Sequence, residues 1–136
     1  AIANKGVMTV PHFLKSCGGE EKDWSAKEKR VFSKETVRQI ADMMKTVVDE
    51  GTGTLGQVPG YDVSGKTGTA QRASEDGGYQ KDVYMSSFIG FAPTNDPQVM
   101  VYVTLDGTPY ISTAAATPFA TVMGSALTIL DIQPTS

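Results

Sequence analysis

Apolar residues recur at helical spacing in two segments of the chain. The first segment predicts a helix over 34–49, with Ser33 as its N-cap and Gly51 just beyond its end. Its apolar face comprises Val37, Ile40, Met44, Val47 and Val48. The second segment predicts a helix over 114–131, with Pro118 in its first turn. Its expected apolar face comprises Ala115, Phe119, Val122, Ala126 and Ile129.

Shorter runs of β-branched, aromatic and other apolar residues predict strands. The run over 7–15 predicts a short edge strand, because Pro11 cannot donate a hydrogen bond to a sheet. Three further strands are expected at 61–70, 83–91 and 98–105. The connector "APTNDPQ" between the last two is short and rich in turn residues. These two strands should therefore pair as antiparallel neighbours.

The remaining stretches predict turns and loops. "AIANKG" has the pattern of a final helical turn that ends at Gly6. Residues 16–30 are polar and charged and predict an exposed loop, and the Gly77-Gly78 pair predicts a turn. The elements together predict an α/β protein of the α+β type, in which helices flank an antiparallel sheet of about three to five strands. The helix over 114–131 should pack on one face of that sheet.

Composition limits the classes of function. At 136 residues, with 40% hydrophobic and 20% charged residues, the chain can form one globular core. A net charge of −3 and scattered positive residues give no basic face, so we expect no nucleic-acid partner. Cys17 and His12 are the only residues of their types, which excludes an intrachain disulfide and a multi-histidine metal site. We expect neither a metal nor a cofactor.

The segment 60–71, "GYDVSGKTGTAQ", fits two unrelated templates. Gly60 to Thr67 spells G-x-x-x-x-G-K-[ST], the phosphate-binding loop of nucleotide-binding proteins. That loop must follow a buried strand and open into a helix. Here "TLGQVP" precedes it and the glycine-containing "GTAQRASEDGG" follows it. Tyr61 and Val63 alternate with polar residues, which is the pattern of a half-buried strand and argues against a phosphate loop.

Interpreted as a strand, residues 66–69 suit one wall of an acyl-transfer site. Lys66 would supply positive potential beside a serine nucleophile and a substrate carboxylate. Gly68 would leave room for an extended substrate. Thr67 and Thr69 would point to one face, with backbone groups between them free to pair with the substrate. A backbone N–H at this position can also face the oxyanion of a tetrahedral intermediate.

With its flanking stretches, this segment resembles the transpeptidase domain of the class B penicillin-binding proteins. "GYDVSGKTGTAQ", "GGY", "SSFIGFAPTNDP" and "AAATPF" have the order and spacing of that family, as do "AIANKG" and "EGTGT". The resemblance implies a partial penicillin-binding-protein or β-lactamase-like transpeptidase fold. It also implies a location at the extracytoplasmic face of the bacterial cell membrane, through an anchor outside this chain.

The same resemblance implies a reaction and roles for residues. An active-site serine is acylated by the D-Ala-D-Ala end of a peptidoglycan stem peptide, and β-lactams acylate the same serine. Lys66, Thr67 and Gly68 match the family's K-T-G motif. Thr69 matches the residue whose backbone N–H contributes to the oxyanion hole and whose hydroxyl helps to bind the substrate carboxylate. Gln71, at the end of the matched stretch, has no role that we can assign.

One departure from the family is serious. The family requires an S-x-x-K nucleophile motif and an S-x-N motif before K-T-G, and no serine of this chain begins either motif. We therefore expect residues 1–136 to be the C-terminal portion of one transpeptidase domain, inactive alone. Its partners would be the missing N-terminal half or further copies of itself, attracted by exposed apolar surface on the 34–49 helix and the sheet. The alternative is a non-catalytic interaction or scaffold segment.

Overall fold

The computed structural model describes residues 1–135, which divide into two compact units at Ile40/Ala41. The N-terminal unit contains two short antiparallel pairs and one 3-10 turn. Strand β1 (Val7–Met8) pairs with β4 (Lys29–Arg30). Strand β2 (Ser16–Cys17) pairs with β3 (Glu20–Glu21). The 3-10 turn spans Ser25–Lys27.

The N-terminal unit corrects two of the sequence predictions. The strand predicted over 7–15 ends at Met8, so it is far shorter than expected. The predicted loop over 16–30 is exposed but contains the β2–β3 hairpin. Gly18 and Gly19 both have positive φ angles, 61° and 86°, which a tight two-residue hairpin turn requires. The polar residues beside the glycine pair lack the apolar alternation by which strands are recognised.

The opening residues form a hydrogen-bonded turn rather than a helix. The Gly6 N–H donates to the Ala1 carbonyl at 2.9 Å, and Gly6 has a φ of 90°. This left-handed glycine is the feature that the sequence predicted at this position.

Helix α1 (Lys34–Asp49) begins and ends where its capping residues predict. The Ser33 hydroxyl accepts a hydrogen bond from the Thr36 N–H at 3.0 Å, which satisfies one of the free donors of the first turn. Beyond the last turn, the Gly51 N–H donates to the Val47 carbonyl at 3.1 Å. The N-cap and the C-terminal glycine are both confirmed.

The C-terminal unit is built on a three-stranded antiparallel sheet in the order β5-β6-β7. Its strands are β5 (Ser64–Ala73), β6 (Tyr79–Ala92) and β7 (Val99–Thr108). The predicted antiparallel pairing of the last two strands is confirmed, and so is the α+β fold class. The pairing aligns Thr67 with Phe88, and Phe88 with Val103.

The β5–β6 hairpin is longer at its tip than the sequence predicted. Strand β6 begins at Tyr79 rather than at residue 83, and the turn that joins it to β5 contains Gly77 and Gly78, as expected. Strand β7 pairs with β6 only from Tyr84 onward. The hairpin tip before Tyr84 is therefore a two-stranded ribbon.

Strand β5 also begins later than predicted, at Ser64 rather than at residue 61. Tyr61 instead forms an isolated bridge with Val58, and its hydroxyl donates to the Ile132 carbonyl at 2.7 Å.

Helix α2 (Ala116–Ile129), which packs against β6 and β7, buries only part of the predicted apolar face, namely Phe119 and the preceding Ala115. Its buried residues are Ala116, Phe119, Met123 and Leu127. Val122 and Ile129, which were expected in the core, are 49% and 81% exposed. The helix contains no charged residue, and apolar side chains occur on all its faces. The spacing of apolar residues alone therefore does not identify which face is buried.

The core centres on two aromatic rings. Phe88 of β6 and Phe119 of α2 are fully buried, with ring centroids 4.4 Å apart. A Cβ added at Gly90 would lie 2.6 Å from the Phe119 ring and 2.8 Å from the Ser64 carbonyl oxygen. The absence of a side chain at Gly90 therefore lets α2 approach the sheet.

We expect Gly90→Ala to lower the free energy of unfolding by about 1–3 kcal/mol, because the added methyl overpacks the core against backbone. Gly124→Ala is the matched control, since its Cβ would lie 3.5 Å from Val58 in ordinary contact. In that helical position alanine should stabilise the protein by up to about 1 kcal/mol. Urea unfolding measures both changes, and equal midpoints for the two variants would contradict the packing described.

Candidate functional site

The four predicted site residues are consecutive in β5, at an edge of the sheet. Lys66, Thr67, Gly68 and Thr69 pair in register with β6. The other edge of β5 has no strand partner among residues 1–135. Lys66 and Thr69 are exposed, and Thr67 and Gly68 are half-buried. The strand conformation predicted for this motif is confirmed.

The Lys66 ammonium group lies along the open edge. Its Nζ donates to the Thr67 carbonyl at 2.9 Å and to the Thr67 hydroxyl at 3.3 Å. In an antiparallel ladder the N–H and C=O of one residue point to the same side, and alternate residues point to opposite sides. The Thr67 carbonyl contact thus indicates that Thr67 and Thr69 direct their backbone groups away from β6. A cationic group and outward-facing backbone groups share this edge.

Strand β5 continues to Ala73, so no helix begins after Thr67. A phosphate-binding loop requires that helix, because its N-terminal N–H groups contact the phosphates. The nucleotide-binding alternative is therefore excluded for this segment.

Gly68 is in close contact with the neighbouring strand. A Cβ at this position would lie 2.6 Å from the Ser87 hydroxyl, whose oxygen is itself 3.5 Å from the Gly68 carbonyl. The absence of a side chain at Gly68 therefore accommodates the Ser87 hydroxyl of β6.

One residue at the site had no predicted role. The Thr52 hydroxyl lies 2.9 Å from the Thr67 hydroxyl, in hydrogen-bond contact. Thr52 belongs to the "EGTGT" stretch, whose resemblance to the family was the only signal in the sequence. No periodicity links residues 52 and 67, so spacing rules could not have paired them.

Three glycines bring the segment after α1 against β5. A Cβ at Gly53, Gly56 or Gly65 would lie 3.3, 2.8 or 2.5 Å from an atom of the Phe88 ring. Phe88 is the register partner of Thr67. The buried ring therefore places the segment after α1 next to the K-T-G strand.

Polar contacts connect α1 to Ser64 and Asp62, at and just before the beginning of β5. The buried Ser64 hydroxyl donates to the Ala41 carbonyl at 2.8 Å and contacts the Thr94 hydroxyl at 3.0 Å. The Lys45 ammonium lies 2.7 Å from Asp49 and 3.1 Å from Asp62. Hydrogen bonds to Asp49 and then to Asp62 raise the pKa of Lys45 above its ordinary value.

The residues named earlier as unique lie in the N-terminal unit. His12 stacks on Trp24 with centroids 4.9 Å apart, and its Nδ1 contacts the Val10 carbonyl. Cys17 is an exposed free thiol. Among residues 1–135 there is no group of three or more His, Cys, Asp or Glu side chains placed to hold a metal ion. Neither helix in this range is long and apolar enough to cross a membrane.

The family model described as "Penicillin binding protein transpeptidase domain" matches residues 1–124. The chain belongs to this family. It is 38% identical to the probable peptidoglycan D,D-transpeptidase PenA of Neisseria meningitidis over 99% of its length. It is also 38% identical to stage V sporulation protein D of Bacillus subtilis over 98% of its length. Residues 66–69 lie within the range that the family model matches.

Solved structures agree with this family assignment. A putative peptidoglycan glycosyltransferase from Atopobium parvulum is 40% identical, with a TM-score of 0.85 over 98% of this chain and 32% of that one. Penicillin-binding protein 3 of Mycobacterium tuberculosis, solved with ampicillin, is 31% identical, with a TM-score of 0.83 over 98% of this chain and 33% of that one. The chain spans only 23% and 22% of the PenA and sporulation-protein sequences.

We expect Lys45→Met to lower the free energy of unfolding by up to about 1 kcal/mol, the range of partly exposed ion pairs. Because the folded-state pKa of Lys45 is raised, this stabilisation is fully present below the unfolded-state pKa. It is lost as the pH rises through the raised pKa, in the strongly alkaline range.

Urea unfolding of the wild type and Lys45→Met at neutral and strongly alkaline pH measures this difference. Lys81→Met, which replaces another exposed lysine, is the control and should change stability little. A Lys45→Met deficit that persists unchanged at strongly alkaline pH would contradict the ion-pair explanation.

Proposed function

We propose that this chain forms the K-T-G wall of a peptidoglycan D,D-transpeptidase site, as the C-terminal portion of one transpeptidase domain. The observation that carries the proposal is the edge of β5 that has no strand partner among residues 1–135, where the Lys66 ammonium lies beside the outward-facing Thr67 carbonyl. An edge of this kind can accept an extended peptide by strand addition, while the cation attracts the peptide carboxylate.

Each site residue has a role in this proposal. Lys66 supplies the positive potential, and the Thr67 and Thr69 hydroxyls bind the substrate carboxylate. The backbone N–H of Thr69 donates to the oxyanion that forms on the attacked carbonyl. Gly68 lets the substrate lie against the strand. We infer these roles from the K-T-G motif of the family, and the position of the four residues at the edge of the sheet and the exposure of Lys66 and Thr69 support them.

The nucleophile of the proposed reaction comes from a segment outside these 136 residues, because neither S-x-x-K nor S-x-N occurs in them. The serine oxygen attacks the carbonyl of the penultimate D-Ala and the terminal D-Ala leaves with its nitrogen protonated. The amine of a neighbouring stem peptide then attacks the acyl-serine ester, which forms the cross-link and regenerates the hydroxyl. Residues 66–69 hold the substrate during both steps.

Two further proposals concern ligand and location. The Mycobacterium tuberculosis relative was solved with ampicillin and with aztreonam, which supports β-lactam binding by the domain that contains this chain. We place that domain at the extracytoplasmic face of the bacterial membrane, where peptidoglycan is assembled, with an anchor that these residues do not contain.

Labelling with a fluorescent penicillin tests the proposed function. In the full-length protein, Lys66→Ala should lower the acylation rate constant by on the order of 100-fold, because a fixed charge beside the reacting centre is lost. Lys81→Ala, on the exposed part of β6, is the matched control and should label like the wild type. Equal labelling of the two variants would refute the role of Lys66.

The 136-residue chain alone should show no label, and label should appear when the nucleophile segment is restored. Labelling of the chain alone would overturn our account of the nucleophile.

A second candidate function, a non-catalytic interaction segment, is favoured by one observation. The apolar face predicted on α1 is buried or half-buried, but Ile89, Met100 and Tyr102 are 39%, 62% and 61% exposed. The register with β6 places these three side chains on one face of the sheet. That face can associate with the missing portion of the domain or with another copy of the chain.

We expect the isolated chain to self-associate and to bind a hydrophobic dye. Tyr102→Lys should reduce both properties, because it places a charge in the middle of the apolar face. Tyr79→Lys, at a tyrosine on the hairpin tip that is 70% exposed, is the control. Sedimentation and dye fluorescence measure the outcome, and a compact monomer without dye binding would contradict it.

A further inference from the structure

We infer that Thr52 is a positioning residue of the acyl-transfer site, which acts by holding the hydroxyl of Thr67. This inference rests on the proposed function. The two hydroxyl oxygens are 2.9 Å apart, and the Lys66 ammonium lies 3.3 Å from the same Thr67 oxygen. The three side chains therefore form one hydrogen-bonded row at the open edge of β5.

The hydrogen-bonding capacity of the Thr67 hydroxyl determines whether it can donate to a substrate. A hydroxyl has one hydrogen to donate and two lone pairs to accept. Lys66 donates to one lone pair of the Thr67 oxygen. Either hydroxyl can be the donor of the contact between Thr52 and Thr67, and our inference assigns that role to Thr52. The Thr67 hydrogen then stays free for an acceptor outside the row. The acceptor in the proposed reaction is the carboxylate of the acyl donor.

The backbone around Thr52 is held on both sides. The N–H groups of its neighbours Gly51 and Gly53 both donate to the Val47 carbonyl, at 3.1 and 2.9 Å. A Cβ at Gly53 would lie 3.0 Å from that carbonyl oxygen and 3.3 Å from the Phe88 ring. Since Phe88 is paired with Thr67, the same contacts fix Thr52 relative to Thr67.

The hydroxyl of Thr52 is not needed for the core. Thr52 is exposed, and its side chain makes no other hydrogen bond that the structure records among residues 1–135. A substitution that keeps the shape and removes the hydroxyl should leave the fold intact. A functional loss would then come from the contact with Thr67.

The test compares Thr52→Val and Thr52→Ser in the full-length protein, with Thr54→Val as the control at a nearby exposed threonine. Acylation is followed with a penicillin and with its methyl ester, which lacks the carboxylate. For each compound the dissociation constant of the first complex and the rate constant of acylation are measured separately. Thr52→Val should weaken penicillin binding by about tenfold, the size of one lost hydrogen bond to a charged group. The dissociation constant of the methyl ester should be nearly the same for Thr52→Val as for the wild type.

Thr52→Ser should retain penicillin binding within about twofold, because it keeps the hydroxyl. Wild-type behaviour of Thr52→Val, or equal losses for the penicillin and its ester, would overturn the inference about Thr52 alone. A wild-type protein that no penicillin acylates would overturn the proposed function and this inference together. Thermal unfolding of each variant verifies that the fold is retained.

Discussion

The packing of glycine backbone around the Phe88 ring determines where the site residues lie. The ring is fully buried, contacts Phe119 of α2 on one side and approaches Gly53, Gly56 and Gly65 closely. Any side chain at these glycines would separate the ring from its neighbours. One aromatic residue therefore joins three parts of the unit: the helix behind the sheet, the segment after α1 and the strand that carries Lys66.

The well-predicted parts of the fold are those that local chemistry determines. Ser33 and Gly51 mark the ends of α1, because a hydroxyl cap and a terminal glycine act within one turn of their own position. The connector "APTNDPQ" predicts the β6–β7 pairing for the same reason. Residues 66–69 are extended, as the strand interpretation predicted, because they pair in register with β6. The flanking motifs identified their family.

The parts that the sequence did not predict depend on contacts between distant residues or on ambiguous periodicity. The uncharged α2 offers several apolar stripes, and only packing against β6 and β7 selects the one with Met123. The contact between Thr52 and Thr67 joins residues 15 positions apart through two exposed hydroxyls. The Gly18-Gly19 hairpin lies among polar residues, where strand patterns are weakest.

Strand β7 pairs with only part of β6, so the β5–β6 hairpin is more rigid at the sheet centre than at its tip. At Lys66 the hairpin is backed by a third strand and a helix, whereas beyond Tyr84 toward the tip it has only two strands. A two-stranded ribbon is marginally stable by itself in water, so local opening there costs much less free energy than opening at the sheet centre. Backbone amides near Gln71 and Gln80 should thus exchange with solvent sooner than those near Phe88. The part of β5 that carries Lys66 is thus more rigid than the part of the same strand near the hairpin tip.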